Sequence, residues 1–138
     1  MAACIFCRIV AGEIPSSKLY EDQDVLAFMD INPINPGHSL VIPKKHFESL
    51  LDASPAEVAK VAAKLPELAR AVKAATGADG VNVFQANGAV AGQTVPHLHF
   101  HIIPRHKAEG FTFGWRQQKY APGEMQKMHE RILGALQG

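Results

Sequence analysis

The sequence predicts an α+β fold built on an antiparallel sheet. Short segments rich in β-branched and aromatic residues come first, one long stretch of helix-forming residues follows, and further strand segments come after it. Strands that are grouped on either side of a helix, without regular alternation, are typical of this class. The 138 residues, 47% of them hydrophobic, suffice for one compact domain, so we assign residues 1–138 to a single domain.

The first strands are expected to pair as a hairpin over residues 19–30, because a polar turn at 21–24 separates two apolar runs. Residues 32–38 contain two prolines and a glycine, which exclude a helix or a central strand and predict a loop. A β-branched strand over residues 39–43 follows and ends at its proline.

The long helix is expected to begin after Ser54 and to end at Gly77. Ser54 suits the N-cap, Pro55 the first helical position and Glu57 the reciprocal partner of a capping box. Pro66 lies inside this stretch and predicts a kink or a break, since proline has no backbone N–H. The remaining elements are strands near residues 81–84 and 96–103 and a short helix at 122–136.

Charge and hydropathy exclude several classes of partner. Fourteen basic and thirteen acidic residues give a formal net charge of +1, which removes the usual electrostatic reason to expect nucleic-acid binding. No apolar run approaches the roughly 20 residues that span a bilayer, so no membrane association is expected. The first residues lack the features of a secretion signal, and we therefore expect a cytoplasmic protein without a lasting disulfide.

Three histidines, His97, His99 and His101, alternate with apolar residues. Side chains alternate between the two faces of a strand, so these imidazoles share one face and are expected to point away from the core. Three neighbouring imidazoles would repel one another if all were protonated, and some are therefore expected to be neutral near pH 7. A neutral imidazole has a lone pair that can attack, accept a proton or bind a metal.

A glycine-containing loop over residues 87–94 precedes the histidines. Glycines allow backbone N–H groups to approach an anion closely, and Asn87 and Thr94 add side-chain donors. A phosphate cradle beside histidines is a coherent arrangement for attack at phosphorus.

Residues 91–103, AGQTVPHLHFHII, resemble the signature of the histidine triad (HIT) superfamily. Residues 4–15, 26–33, 36–38 and 41–46 resemble the same family, in the expected order. The similarity is closest to the nucleotide-binding branch, in its zinc-containing bacterial type. It implies the HIT fold: a five-stranded antiparallel sheet with one long and one short helix, and sheets paired across a homodimer. Residues 108–138 would form a variable tail that contributes to the dimer or to the substrate site.

The resemblance also implies a reaction, that of a purine nucleoside phosphoramidase or a related nucleotidyl hydrolase or transferase. His99 would attack the α-phosphorus of a nucleoside 5′-phosphoramidate, or of a related adenylated or dinucleotide substrate. The nucleotidyl-histidine would then be hydrolysed to a nucleoside monophosphate. His101 would contact the same phosphate, Thr94 would assist there, and His38 would orient the histidines.

The nucleotide-binding residues implied by the resemblance surround this centre. Asp30 would accept hydrogen bonds from the ribose, while Phe6, Phe28 and Ile31 would enclose a purine base, as in AMP or GMP derivatives. The phosphate would be bound by Asn87, Gln93 and Thr94, together with His99 and His101.

Cys4 and Cys7 form a C-x-x-C pair that allows three interpretations. A redox motif would follow a strand at the start of a helix, which the sequence does not support. Two free thiols or a structural zinc site remain, and zinc requires four ligands. The similarity to zinc-containing HIT proteins implies that His46 and His97 supply the other two. No organic cofactor is expected.

Other functions remain open from the sequence. A metallohydrolase would bind one catalytic zinc through all three histidines of the motif, but it would lack a nearby carboxylate as a base. A nucleotide sensor would bind without turnover, and a dinucleoside polyphosphate hydrolase would use the same attacked phosphorus.

Overall fold

A computed structural model describes residues 4–138 and contains, within them, a five-stranded antiparallel sheet. The strands lie in the order β1-β2-β3-β5-β4, so that β5 pairs with both β3 and β4. This confirms the predicted α+β fold. The strands are β1 (Lys18–Glu21), β2 (Val25–Met29), β3 (Ser39–Pro43), β4 (Gly80–Phe84) and β5 (Phe100–Arg105).

The helices are α1 (Ile5–Val10), α2 (Pro55–Ala62), α3 (Leu65–Thr76) and α4 (Glu124–Gln137). Pro66 is the second residue of α3, which confirms the predicted break, and Gly77 ends α3 in the left-handed conformation at φ 67°. The predicted capping box is wrong, because the Ser54 side chain makes no capping hydrogen bond. The Glu57 carboxylate instead contacts Lys60 at 3.3 Å.

Helices cover both faces of the sheet. On one face, Val61 of α2 and Leu68 of α3 pack against the buried side chains of β3 and β5. On the other face, Phe6 and Ile9 of α1 pack against β2 and β3. Every residue of β3 is therefore buried, including those on alternate faces. Full burial of each large aliphatic side chain stabilises the fold by about 1.5–3 kcal/mol.

The C-terminal segment lies outside this packing. All residues from 107 onward are exposed, and α4 presents an uncovered apolar side that includes Ile132 and Leu133. The exposed rings of Phe111, Phe113 and Trp115 pack edge to face at centroid distances of 5.0 and 5.2 Å. Within the described residues, no helix has the length and apolar character needed to cross a membrane.

Candidate active site

A cavity of about 540 Å³ opens beside the histidine motif. Its walls carry imidazoles from His38, His99 and His101, and apolar side chains that include Phe6 of α1 and Phe28 of β2. This volume lies within the range of small-molecule sites, which combine an apolar lining with a few polar groups.

The ring of His99 has a defined proton position. Its Nδ1 lies 2.7 Å from the backbone carbonyl oxygen of His97, which can only accept, so Nδ1 carries the proton and donates it. In the neutral ring the lone pair is therefore on Nε2. Burial lowers the pKa of His99 and favours this neutral form. The edge-on ring of Phe6, 5.2 Å away between centroids, is part of the covering layer.

A chain of hydrogen bonds sets the proton position of His101. The backbone N–H of Ile34 donates to His38 Nδ1 at 3.0 Å, so neutral His38 carries its own proton on Nε2. That Nε2–H donates to His101 Nδ1 at 2.8 Å, and His101 is left with its proton on Nε2. Burial lowers the pKa of His101 to about 4, which keeps the ring neutral at pH 7.

The two rings are side by side, with centroids 4.9 Å apart. His99 therefore offers a nitrogen lone pair next to an N–H donor on His101. Such a pair can attack an electrophile and stabilise the negative charge that develops on it.

Asp30 also lies near this chain, with Oδ2 at 3.6 Å from His38 Nε2. Its other oxygen accepts the backbone N–H of Asn32 at 2.8 Å. Donor atoms of Asp30, His38 and His101 are close enough to share an ion. Both nitrogens of His38 are already engaged, however, and these contacts describe a hydrogen-bonded network better than a metal site.

Other residues singled out in the sequence divide between the cavity wall and its support. Thr94 lines the cavity, as does Ile31, which is 89% exposed at the rim. Asn87 and Gln93 do not line it. Asn87 Oδ1 accepts from the Leu50 backbone N–H at 2.7 Å, and Gln93 Nε2 donates to a backbone carbonyl at 2.7 Å. Their amides hold the loop in place in this structure.

A second cluster forms where α1 meets the end of β3. Donor atoms of Cys4, Cys7, His46 and His97 all lie within 4.8 Å of one another, and the contacts that involve a ring nitrogen measure 3.1–3.6 Å. His97 Nε2 donates to the carbonyl of Pro43 at 2.9 Å, which leaves the lone pair on Nδ1, facing the cluster. Tetrahedral zinc ligands lie about 3.3–3.8 Å apart, so these residues fit zinc.

The three motif histidines do not converge on one point. His97 faces the cysteines, while Nδ1 of His99 and Nδ1 of His101 contact a backbone carbonyl and His38 respectively. The arrangement differs from that of a metallohydrolase with three histidine ligands on one zinc.

The prediction that these imidazoles point outward to the surface is wrong, because α1 covers their face of the sheet. His97 is fully buried and His99 is 6% exposed. Strand β5 also begins only at Phe100, and the two earlier histidines precede it.

Phe84 and Ser16 are among the cavity residues that were not singled out from the sequence. Phe84 is paired with His101 across β4 and β5, and its ring lies 5.6 Å from that imidazole. The pairing register would have revealed Phe84, but a local motif could not.

Comparison with known proteins matches residues 11–108 to the HIT domain. An adenosine 5′-monophosphoramidase from Schizosaccharomyces pombe is 44% identical over 135 residues, which cover 97% of this chain and 98% of that protein. A crystal structure of a Streptococcus mutans protein superposes with a TM-score of 0.93 at 43% identity, and the match covers 99% of this chain and 87% of that one.

A Zn-bound histidine triad family protein from Mycobacterium smegmatis has a TM-score of 0.76 at 36% identity, with 99% of this chain and 96% of that chain covered. The family match extends over most of the described chain, and the relatives match it over nearly their whole length. The chain therefore belongs to the HIT domain family.

Proposed function

We propose that this protein hydrolyses purine nucleoside 5′-phosphoramidates, or closely related adenylated nucleotides, at the α-phosphorus. The observation that carries the proposal is the lone pair on His99 Nε2 beside the N–H donor of His101. The similarity to an adenosine 5′-monophosphoramidase supports the choice of substrate class.

In the first step His99 Nε2 attacks the α-phosphorus, a P–Nε2 bond forms, and the P–N bond to the leaving amine breaks. The Nε2–H of His101 donates a hydrogen bond that stabilises the charge on the phosphoryl oxygens, and a water molecule gives the leaving amine its proton. In the second step the hydroxide left by that water attacks the phosphorus and breaks the P–Nε2 bond. His99 recovers its Nε2 lone pair, and a nucleoside monophosphate is released.

The rest of the cavity would bind the nucleotide around this centre. The Asp30 carboxylate accepts hydrogen bonds from the ribose hydroxyls, and the rings of Phe6 and Phe28 with Ile31 enclose the base. The Thr94 hydroxyl contacts the phosphate. Asn87 and Gln93 act on the phosphate through the loop that their amides support.

We propose that the second cluster binds a structural zinc ion through Cys4, Cys7, His46 and His97. Bound zinc would supply a rigid tetrahedral crosslink between α1 and the sheet. Because Phe6 lies on α1 and contacts His99, this crosslink would position one wall of the cavity.

We further propose that residues 1–138 act as one HIT domain that forms a homodimer, in which residues 108–138 cover the partner or its substrate site. The exposed apolar side of α4 supports this proposal, because monomers rarely leave such a surface uncovered.

The test is to mix the protein with adenosine 5′-phosphoramidate, quench early, and locate the adduct by intact mass and peptide mapping. We expect adenylate on His99 together with released AMP. His99→Ala should lose at least about a thousandfold in turnover, as with other nucleophiles, and should still bind AMP. His106→Ala, a histidine outside both the cavity and the segment 108–138, is the matched control.

Comparable turnover by His99→Ala would contradict the proposal. Tight AMP binding by the wild-type protein, with neither an adduct nor AMP release, would indicate a nucleotide sensor instead.

A further inference from the structure

Ser16 lies in the segment between α1 and β1 and lines the cavity. Its hydroxyl oxygen is buried and is the one buried side-chain polar atom, among the residues that the structure describes, without a hydrogen-bond partner. Leaving such a group unpaired costs folding free energy, and buried polar atoms in native proteins are nearly always paired. Rotation about the Cα–Cβ bond of Ser16 would turn this hydroxyl toward the cavity that the residue lines, where a bound ligand would be its partner.

The sheet order places Ser16 relative to the reacting atoms. Lys18 pairs with Phe28, and the carbonyl of Ser17 accepts the Met29 N–H at 3.0 Å. Continuing this antiparallel register sets Ser16 opposite Asp30. The histidine strand β5 lies three positions away from β1, beyond β2 and β3.

This order corresponds to the order of groups in a nucleotide. The phosphate would lie at the β5 histidines and the ribose at Asp30, which directly follows β2. Ser16, before β1, lies on the far side of Asp30 from the histidines, at the end where the base belongs. Its neighbours Ile14 and Pro15 are apolar and also line the cavity.

We propose that the Ser16 hydroxyl hydrogen-bonds the edge of the nucleobase and makes the site selective for purines. The inference rests on the function proposed above and names the residue that recognises the base. A hydroxyl can donate and accept, so it can pair with a ring nitrogen or an exocyclic group of adenine or guanine. A pyrimidine has a single ring, falls short of Ser16 and leaves the hydroxyl unpaired, which lowers affinity.

The experiment measures binding of AMP, CMP and ribose 5-phosphate by calorimetry to the wild-type protein, Ser16→Ala and Ser17→Ala. We expect Ser16→Ala to weaken AMP binding by about five- to tenfold, the effect of one lost hydrogen bond. Binding of CMP and ribose 5-phosphate should change by less than twofold. Ser17 is the matched control, because its side chain is exposed and its backbone carbonyl survives the substitution.

The melting temperature separates recognition from a structural role. The Ser16 hydroxyl has no protein partner to lose, so Ser16→Ala should melt no lower than the wild-type protein without ligand. A clear fall in its melting temperature, or an equal loss of AMP and ribose 5-phosphate affinity, would overturn the inference.

The two proposals fail in different ways. Unchanged AMP affinity in Ser16→Ala, with a wild-type protein that binds AMP, would overturn the role of Ser16 and leave the proposed function intact. A wild-type protein that binds neither nucleotide would overturn both.

Discussion

Replacing His38 by asparagine should slow the reaction through its effect on His101 alone. The Oδ1 of asparagine can occupy the place of His38 Nδ1 and still accept the Ile34 N–H. The substitution removes the Nε2–H that donates to His101 Nδ1 at 2.8 Å. The proton of His101 can then move to Nδ1, so that Nε2 presents a lone pair to the phosphate instead of an N–H donor.

The size of the effect follows from the number of hydrogen bonds involved. Losing one neutral hydrogen bond costs about 0.5–1.5 kcal/mol, so His38→Asn should lower kcat by about two- to tenfold. His101→Ala removes a donor aimed at the developing charge and should cost about 10²- to 10³-fold. If His38 acts only through His101, the double variant should be no slower than His101→Ala.

Single-turnover rates with adenosine 5′-phosphoramidate at pH 7 measure these three variants against the wild-type protein. Circular dichroism checks that each variant is folded, since His38 is only 2% exposed. The hydrogen-bonded chain would be refuted if His38→Asn slowed His101→Ala by the same factor by which it slows the wild-type protein, because independent effects multiply.

Three further predictions concern stability. The double variant Cys4→Ser, Cys7→Ser should contain no zinc by elemental analysis and should melt at a lower temperature than the wild-type protein. The reason is that free zinc at a thousand times its Kd stabilises the folded wild-type protein by about 4 kcal/mol. A wild-type protein that contains no zinc would contradict this prediction. Burial holds the pKa of His101 at about 4 and also lowers the pKa values of its neighbours His38 and His99. On acidification the unfolded chain therefore binds protons that the folded chain does not. The free energy of unfolding should therefore fall as the pH is lowered from 6.5 toward 4, and it should fall less steeply in His101→Ala. Melting curves measured across this pH range test the prediction, and a melting temperature that does not change with pH would contradict it. Gly37→Ala should destabilise the fold, because φ is +100° there and the new Cβ would lie 2.5 Å from Thr76 Cγ2. We expect a loss of about 2–4 kcal/mol in denaturant unfolding, partly recovered by Thr76→Ser, which removes that methyl group; no recovery would exclude the clash as a cause.

The order and type of most elements could be predicted because they depend on local chemistry. The break at Pro66 and the end of α3 at Gly77 follow from backbone constraints that do not depend on tertiary contacts. Helix α1 was missed because six residues are too few to show a helical period. Its N-cap is a cysteine, with Cys4 Sγ accepting the Cys7 N–H at 3.3 Å.

The site could be predicted in part, because the family resemblance named its residues but not their contacts. His38 and His101 are 63 positions apart, and only the sheet brings their rings together. The side-chain amides of Asn87 and Gln93 can bind either a phosphate or backbone groups of the protein, and sequence could not distinguish the two. The burial of His99 was missed for a related reason: alternation shows which residues share a face, but not what covers that face.

His97 serves the two sites through different parts of the residue. Its backbone carbonyl accepts the hydrogen bond from His99 Nδ1–H, and any amino acid could provide that carbonyl. Its ring contacts the cysteine cluster, the carbonyl of Pro43 and the ring of Phe6. In a lineage that lost Cys4 and Cys7, selection on the first histidine would relax while the other two stayed fixed. The three positions of the motif can therefore evolve at different rates, although they lie on one short segment.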